Sequence, residues 1–211
     1  MARRSSSRRR PPADAEAILH EALAEADRVG WDGLRLHRVA ARLGLPLSDL
    51  YRHYRDGDAI ADAWLSRADR AMLSAAAVPG LARRQPRDRL ERTLLAWLDA
   101  LAEHRAVTAQ MLLGKLYLGH PHHLAGLVFR LSRTVQWWRE AAGLDAGPPR
   151  RQIEEIALTA LFAATVACWG ADRSPGQAVT RTFLTRALGA ADRLAGRLFA
   201  AQDGSDASSR R

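Results

Sequence analysis

Arginine and histidine side chains crowd between positions 34 and 55 in a spacing that suits contact with a polyanion. Five arginines stand there, Arg35, Arg38, Arg42, Arg52 and Arg55, against one acid, Asp49. His37, Ser48 and His53 add further donors. Guanidinium groups grip phosphate oxygens and the paired acceptors on a guanine edge, and short polar side chains read neighbouring bases. The preceding stretch is the reverse: from 14 to 27 there are five acids (14, 16, 21, 25 and 27) and no Lys or Arg. Positive charge is therefore gathered where the phosphates of a nucleic acid would be met. The same pattern also suits a helical pair in a soluble bundle whose arginine face is solvated.

Two short helices must position these side chains. In GLRLHRVAARLGLPLSDLYRHYR, residues 33 to 55, Val39, Ala40 and Leu43 form one apolar face of a first helix. Gly44 supplies the left-handed residue that ends it, and Leu45 packs the turn. Pro46 opens the next helix, because a first-turn proline gives up an amide that would be orphaned anyway. Leu47, Leu50 and Tyr51 line the inner face of that helix, and Ser48, Arg52, His53 and Arg55 point outward. Two helices set at an angle by a short glycine-containing turn, the second carrying polar and basic side chains outward, predict a helix-turn-helix. In that geometry Ser48, Arg52 and His53 face bases and Tyr51 sits nearer a phosphate. The expected nucleic-acid contacts are Arg35, His37, Arg38, Pro46, Leu47, Ser48, Asp49, Tyr51, Arg52, His53 and Arg55.

The whole chain is consistent with such a partner. Its 211 residues suit one or two domains with a sizeable core, and 47% hydrophobic and 26% charged residues are ordinary for a globular protein. The net charge of +9 and a pI near 11.1 favour nucleic acid or an anionic membrane surface. Much of that excess sits in MARRSSSRRRPP, read as a disordered basic arm over 1–12. The arm either adds phosphate or minor-groove contacts or serves as a solubilising tail. The single cysteine, Cys168, excludes an intrachain disulfide, and its apolar neighbours predict a buried, inert thiol. The basic start meets Pro11 and Pro12 with no apolar stretch, so no signal peptide is expected and the protein is read as soluble and cytoplasmic.

A helix from 14 to 29 precedes the motif, with Ile18, Leu19, Ala22, Leu23 and Ala26 inward and Trp31 closing a three-helix core. A longer helix, from about 58 to 77 and capped by Asp56 or Asp58, turns Ile60, Trp64, Leu65, Ala68 and Met72 inward. The divisions read this way are a helix-turn-helix domain at 13–72, a helical ligand-binding and dimerisation domain at 73–201, and a disordered tail at 202–211. Further helices are predicted at about 87–103, 105–118, 120–142, 150–171 and 175–201. The last opens on Ser174-Pro175-Gly176-Gln177, read as a capping box, with Val179, Phe183, Leu184, Leu188, Leu194 and Leu198 inward. IALTALFAATVACWGA, 156 to 171, is apolar nearly all round. It is short for a membrane span, so it is read as a helix covered by its own core and by a partner subunit.

Residues 17 to 65, AILHEALAEADRVGWDGLRLHRVAARLGLPLSDLYRHYRDGDAIADAWL, resemble the DNA-binding domain of TetR-family transcriptional regulators. The matching positions are Ile18, Ala22, Gly30, Val39, Ala40, Leu43, Gly44, Leu50, Tyr51, His53 and Tyr54. Three positions depart: the family usually has Ser or Thr where Arg35 and Pro46 stand, and lysine where Gly57 stands. The resemblance implies an all-α fold of about nine helices with a dimer interface on the last two. It also implies a homodimeric, ligand-responsive repressor on a palindromic operator in double-stranded DNA. The stretch 157–188 is also similar to the C-terminal region of the TetR-like ubiquinone-biosynthesis accessory family, which implies a lipid- or isoprenoid-binding alternative.

For the effector, Trp97, Met111, Phe129, Trp137, Trp138, Phe162 and Trp169 offer more aromatic bulk than bundle packing usually needs. They pack a plain core or line a cavity for a small apolar ligand, with Arg130, Gln110 or Tyr117 as polar anchors. His120, His122 and His123 lie within four residues but have no carboxylate or cysteine close in sequence, so no metal site is expected. No phosphate-binding glycine loop, G-x-S-x-G or H-E-x-x-H occurs, and Lys115 has no activating neighbour in sequence. Neither an enzyme nor a cofactor is expected.

Overall fold

The computed structural model describes residues 14–114 and 121–208. The basic arm, Lys115, Tyr117, His120 and the end of the chain lie outside the described residues, as do the side chains of His122 and His123. All regular structure among the described residues is helical. The chain packs as two compact units that divide between Trp64 and Leu65, earlier than the expected domain boundary at 72.

The first unit begins with α1, Ala15–Val29, whose N-cap Asp14 accepts the Glu16 amide at 3.1 Å. Its stripe of Ile18, Leu19, Ala22, Leu23 and Ala26 is buried as expected. α2, Leu36–Leu43, turns Val39 and Ala40 into that core. Gly44, at φ 61° and ψ 36°, ends it in the left-handed conformation that a side chain would strain. The Leu45 amide then reaches back to the Ala40 carbonyl at 2.8 Å, closing the turn. α3, Leu47–His53, follows with Pro46 as its extended N-cap rather than its first residue, so the helix begins one position later than read from the sequence.

The inner face of α3 corrects the sequence reading. Leu47 and Tyr51 are 52% and 59% exposed, whereas Leu50 and Tyr54 are buried. A helix of seven residues has only about two turns, and one inward position per turn, four residues apart, uses up its buried face. Tyr54 also anchors the helix end, its hydroxyl donating to the Ala15 carbonyl at 3.0 Å. α4, Gly57–Ala76, is capped by Asp56, which accepts the Ala59 amide at 2.8 Å. Ile60, Ala61 and Trp64 of its first half are buried.

In the second unit α5, Pro86–Leu101, packs against α7, Pro121–Ala141, and α9, Ala178–Ser208. α8, Arg150–Ala171, packs on α7, on α9 and on the short α6, Arg105–Gly114. Leu94, Leu98 and Leu101 of α5, Trp138 of α7 and Leu184 of α9 form the core, and the Trp138 indole donates to the Leu90 carbonyl at 3.0 Å. Arg139 is buried and pairs across the α7–α8 junction with Glu154 at 3.4 Å.

The entry to α9 differs from the expected capping box. Pro175–Gln177 is a 3-10 turn with Gly176 and Gln177 both at positive φ, so Gln177 cannot reach back to Ser174. Its side chain accepts from the Trp169 indole at 3.0 Å instead. Asp172 shares the capping with Ser174: its carboxylate takes the Ser174 hydroxyl at 2.6 Å, the Thr180 hydroxyl at 2.7 Å and both amides, while the Ser174 oxygen accepts the Val179 amide at 3.1 Å. Those bonds, Ser174 first and Thr180 next, hold the buried Asp172 carboxyl well below the usual carboxylate range. Val179 and Leu194, expected inward, are exposed, because Leu184 and Leu188 take the inner stripe of α9. α9 continues to Ser208, through most of the segment read as a tail. Propagating an existing helix orders one residue per added bond, and the sequence from 202 contains no proline to stop it.

Candidate nucleic-acid interface and ligand cavity

α2 and α3 present the expected basic face. His37 and Arg38 of α2, Ser48, Tyr51, Arg52 and His53 of α3, and Arg55 beyond it are all exposed. Pro46 and Leu47 lie exposed at the start of α3, and Asp49 is half-buried. Arg52 is paired with Asp49 at 2.8 Å, one turn back on the same helix, which fixes the guanidinium on the outer face.

The arginines are not equivalent. Arg35 stands where a hydroxyl cap would be and makes no such cap. Its guanidinium folds back to the carbonyls of Asp32 at 2.8 Å and Leu34 at 2.9 Å, bracing the turn before α2. Arg42 is drawn away to α1, 3.1 Å from Glu25 and 3.7 Å from Glu21. Arg28 holds the same two acids at 2.7 and 3.2 Å. The Arg28 hydrogen bond, outweighing burial and helped by the charges of Arg42 and Arg38, keeps the Glu25 carboxyl below the usual carboxylate range. The acidic run on α1 thus serves as an internal counter-charge that joins α1 to α2.

The second unit carries a cavity of about 450 Å³ that is partly open to the surface. Of the residues expected to line one, Trp97, Phe162 and Trp169 do so. Trp97 meets Phe162 edge to face with ring centroids 5.2 Å apart. Met111 and Trp138 are fully buried and outside the described lining, with Trp138 touching Phe162 from behind at 6.0 Å. Phe129 and Trp137 are corrections: they are 77% and 49% exposed on α7. Val135 and Trp138 mark the buried face of that helix, and a three-residue spacing leaves Trp137 to one side of it. The expected anchor Arg130 is in the wall, while Gln110 is exposed.

Thr134, also in the wall, and Asp69, behind it, escaped the sequence reading. Asp69 accepts from the Trp97 indole at 2.8 Å, from Thr134 at 3.3 Å and from Arg130 at 3.5 Å. Its signal was present, since Asp69 falls four residues after the inward Leu65 and next to Ala68. Cys168, expected buried, is half-buried, 4.0 Å from the Thr180 hydroxyl. Among the described residues no three His, Cys, Asp or Glu side chains gather as a metal site.

A three-helix unit with a short second motif helix exposing polar side chains beside the arginines of α2 and Arg55, followed by an all-helical unit with its own apolar cavity, defines a helix-turn-helix DNA-binding protein. No protein-family model matches the chain, and neither does any curated protein. Solved structures do. The chain is 38% identical to a TetR transcriptional regulator from Nitrosomonas europaea, covering 84% of this chain and 97% of that one, with a TM-score of 0.76. A TetR regulator from Rhodococcus sp. RHA1 shares the fold at 16% identity, with coverage of 82% and 92% and a TM-score of 0.62. A further TetR-family regulator from Rhodococcus sp. does so at 22% identity, with coverage of 84% and 96% and a TM-score of 0.55. The chain belongs to the TetR family of transcriptional regulators.

Proposed function

We propose that this DNA-binding regulator is a homodimeric repressor, released from a palindromic operator by a small, mostly apolar effector. The observation that carries DNA reading is α3: Ser48, Arg52 and His53 exposed on a helix anchored by Leu50 and Tyr54. In the major groove Arg52 addresses a guanine edge, and Arg38, His37 and Tyr51 meet phosphates. Arg55 supplies charge where the family usually has lysine at Gly57. The basic arm at 1–12 adds sequence-independent affinity.

The dimer reading rests on α8 and α9. Ile153 and Ile156 are exposed on α8, and Ile156 is 72% accessible. Val179 and Phe183 border an open trough of about 640 Å³ on α9. By length and composition α8 is apolar enough to cross a membrane, with mean hydropathy 1.4 over its best window. Ion pairs at 3.0 Å (Arg150–Glu154) and 2.9 Å (Arg151–Glu155) on its first turns favour a water-facing end and cover by a second copy of the chain. Two copies present two recognition helices, which is why the operator is expected to be palindromic.

The effector reading rests on the cavity walled by Trp97, Phe162 and Trp169. Asp69 of α4 sits behind that wall, and the first residues of α4 belong to the DNA-binding unit. A ligand that binds more tightly to the DNA-incompetent arrangement would shift the equilibrium by its differential affinity alone. The test is a mobility shift with DNA from upstream of the protein's own gene at stated salt, then release by any compound that quenches tryptophan fluorescence. A compound that binds without altering DNA affinity would instead favour a lipid or isoprenoid carrier.

A further inference from the structure

We propose that the cavity selects an uncharged, largely apolar ligand bearing one oxygen acceptor, and discriminates against the carboxylate of the same chain length. This inference rests on the effector reading of the cavity.

The polar pole of the cavity holds a pair of opposite charges, Arg130 and Asp69, 3.5 Å apart. Arg130, in the wall, is 12% exposed at its side chain, and Asp69, behind the wall, is 21% exposed. Asp69 is held in place by the Trp97 indole at 2.8 Å and the Thr134 hydroxyl at 3.3 Å. A ligand carboxylate that approaches Arg130 therefore also approaches a fixed carboxylate. It would give up its hydration, and the attraction to Arg130 is largely offset by repulsion from Asp69. A ketone, ester or alcohol oxygen gives up far less hydration and still gains a charge-assisted hydrogen bond.

The geometry leaves Arg130 able to make that bond. Its Nη2 contacts, 3.5 Å to Asp69 and 3.4 Å to Ser66, are longer than the usual 2.7–3.2 Å range for N–H donors. A modest turn of Nη2 toward the cavity exchanges these two long contacts for a shorter one. Trp97 couples this pole to the apolar wall, since its ring meets Phe162 while its N–H holds Asp69. A ligand oxygen at Arg130 with its chain against Trp97 would use both halves of the site.

The experiment is tryptophan fluorescence titration of the full chain with 2-decanone, 1-decanol and decanoic acid at neutral pH, each below its aggregation limit. The ketone and the alcohol should bind at least about tenfold more tightly than the acid, a difference of about 1.4 kcal/mol. Asp69→Asn keeps an acceptor for Trp97 but removes the negative charge beside Arg130, so the acid should gain about tenfold and the preference should close or reverse. Arg130→Gln makes the opposite charge change, should weaken the acid further, and serves if Asp69→Asn fails to fold. Wild-type protein that prefers decanoic acid, or an acid affinity that neither variant moves, overturns the selectivity and leaves the cavity reading standing. Failure of all three compounds to bind overturns the cavity reading and the selectivity with it.

Discussion

The recognition helix α3 and the apolar helix α8 both leave much of their surface to solvent, and what they expose is opposite. α3 exposes Ser48, Arg52 and His53, which water hydrates at little cost, so this surface is stable uncovered and can take a partner transiently. α8 exposes Ile153, Ile156 and several alanines, where each Å² of apolar surface left in water forgoes about 25 cal/mol. A face of that kind calls for lasting cover. On the proposed dimer reading, the contrast separates a salt-sensitive interface that forms and breaks from a persistent one between two copies of the chain.

The largest expected effect breaks the α8 side of the contrast. Ala164 is exposed on α8, and Ala164→Arg would bury an unpaired charge in a two-copy interface, costing about 3–5 kcal/mol. Sedimentation should show a dimer for wild type and a monomer for the variant, with weakened operator affinity. A wild-type monomer at micromolar concentration would remove the premise.

On the α3 side, Arg38→Ala should weaken specific and scrambled DNA alike. It should also reduce the slope of log K against log salt by about 1, the signature of one lost phosphate contact. A loss confined to the specific sequence would make Arg38 a base reader.

Glu25 gives a smaller effect with a defined pH sign. Arg28 lowers its carboxyl in the folded chain, so its contribution is whole above the unfolded value of about 4.3 and is lost as pH falls through the lower folded one. The melting difference between wild type and Glu25→Gln should be clear at pH 7 and shrink toward zero in acid. A difference that grows on acidification would contradict the counter-charge role. Smallest of all, Phe129→Ser, at a position 77% exposed, should move stability by no more than about 1 kcal/mol and leave ligand quenching of Trp97 in place.

The helix-turn-helix was legible because its signals are local. Leu43-Gly44, Pro46 and the run of outward polar residues each constrain two or three neighbours, and the left-handed Gly44 follows directly. The errors within it, Leu47 and Tyr51, came from assigning a seven-residue helix a wider inner face than it has. The cavity was harder to read, because periodicity locates a stripe without saying whether it meets a core, a void or water. Trp97, Phe162 and Trp169 therefore could not be told from Phe129 and Trp137. Asp69 and Asp172 act through partners that only tertiary packing supplies. Asp172 was hidden by a plausible cap next door at Ser174, whose hydroxyl does accept the Val179 amide at 3.1 Å while Gln177 turns to Trp169 instead of completing the box.

The central claim, that α3 reads base sequence through Arg52, is tested most directly by titrating wild type and Arg52→Ala against own-upstream DNA and a scrambled duplex at several salt concentrations. Arg52→Ala should lose about 1–3 kcal/mol on the specific duplex and little on the scrambled one, narrowing the ratio between them. An Arg52→Ala variant that keeps the wild-type ratio would contradict the account and would move sequence reading away from this side chain.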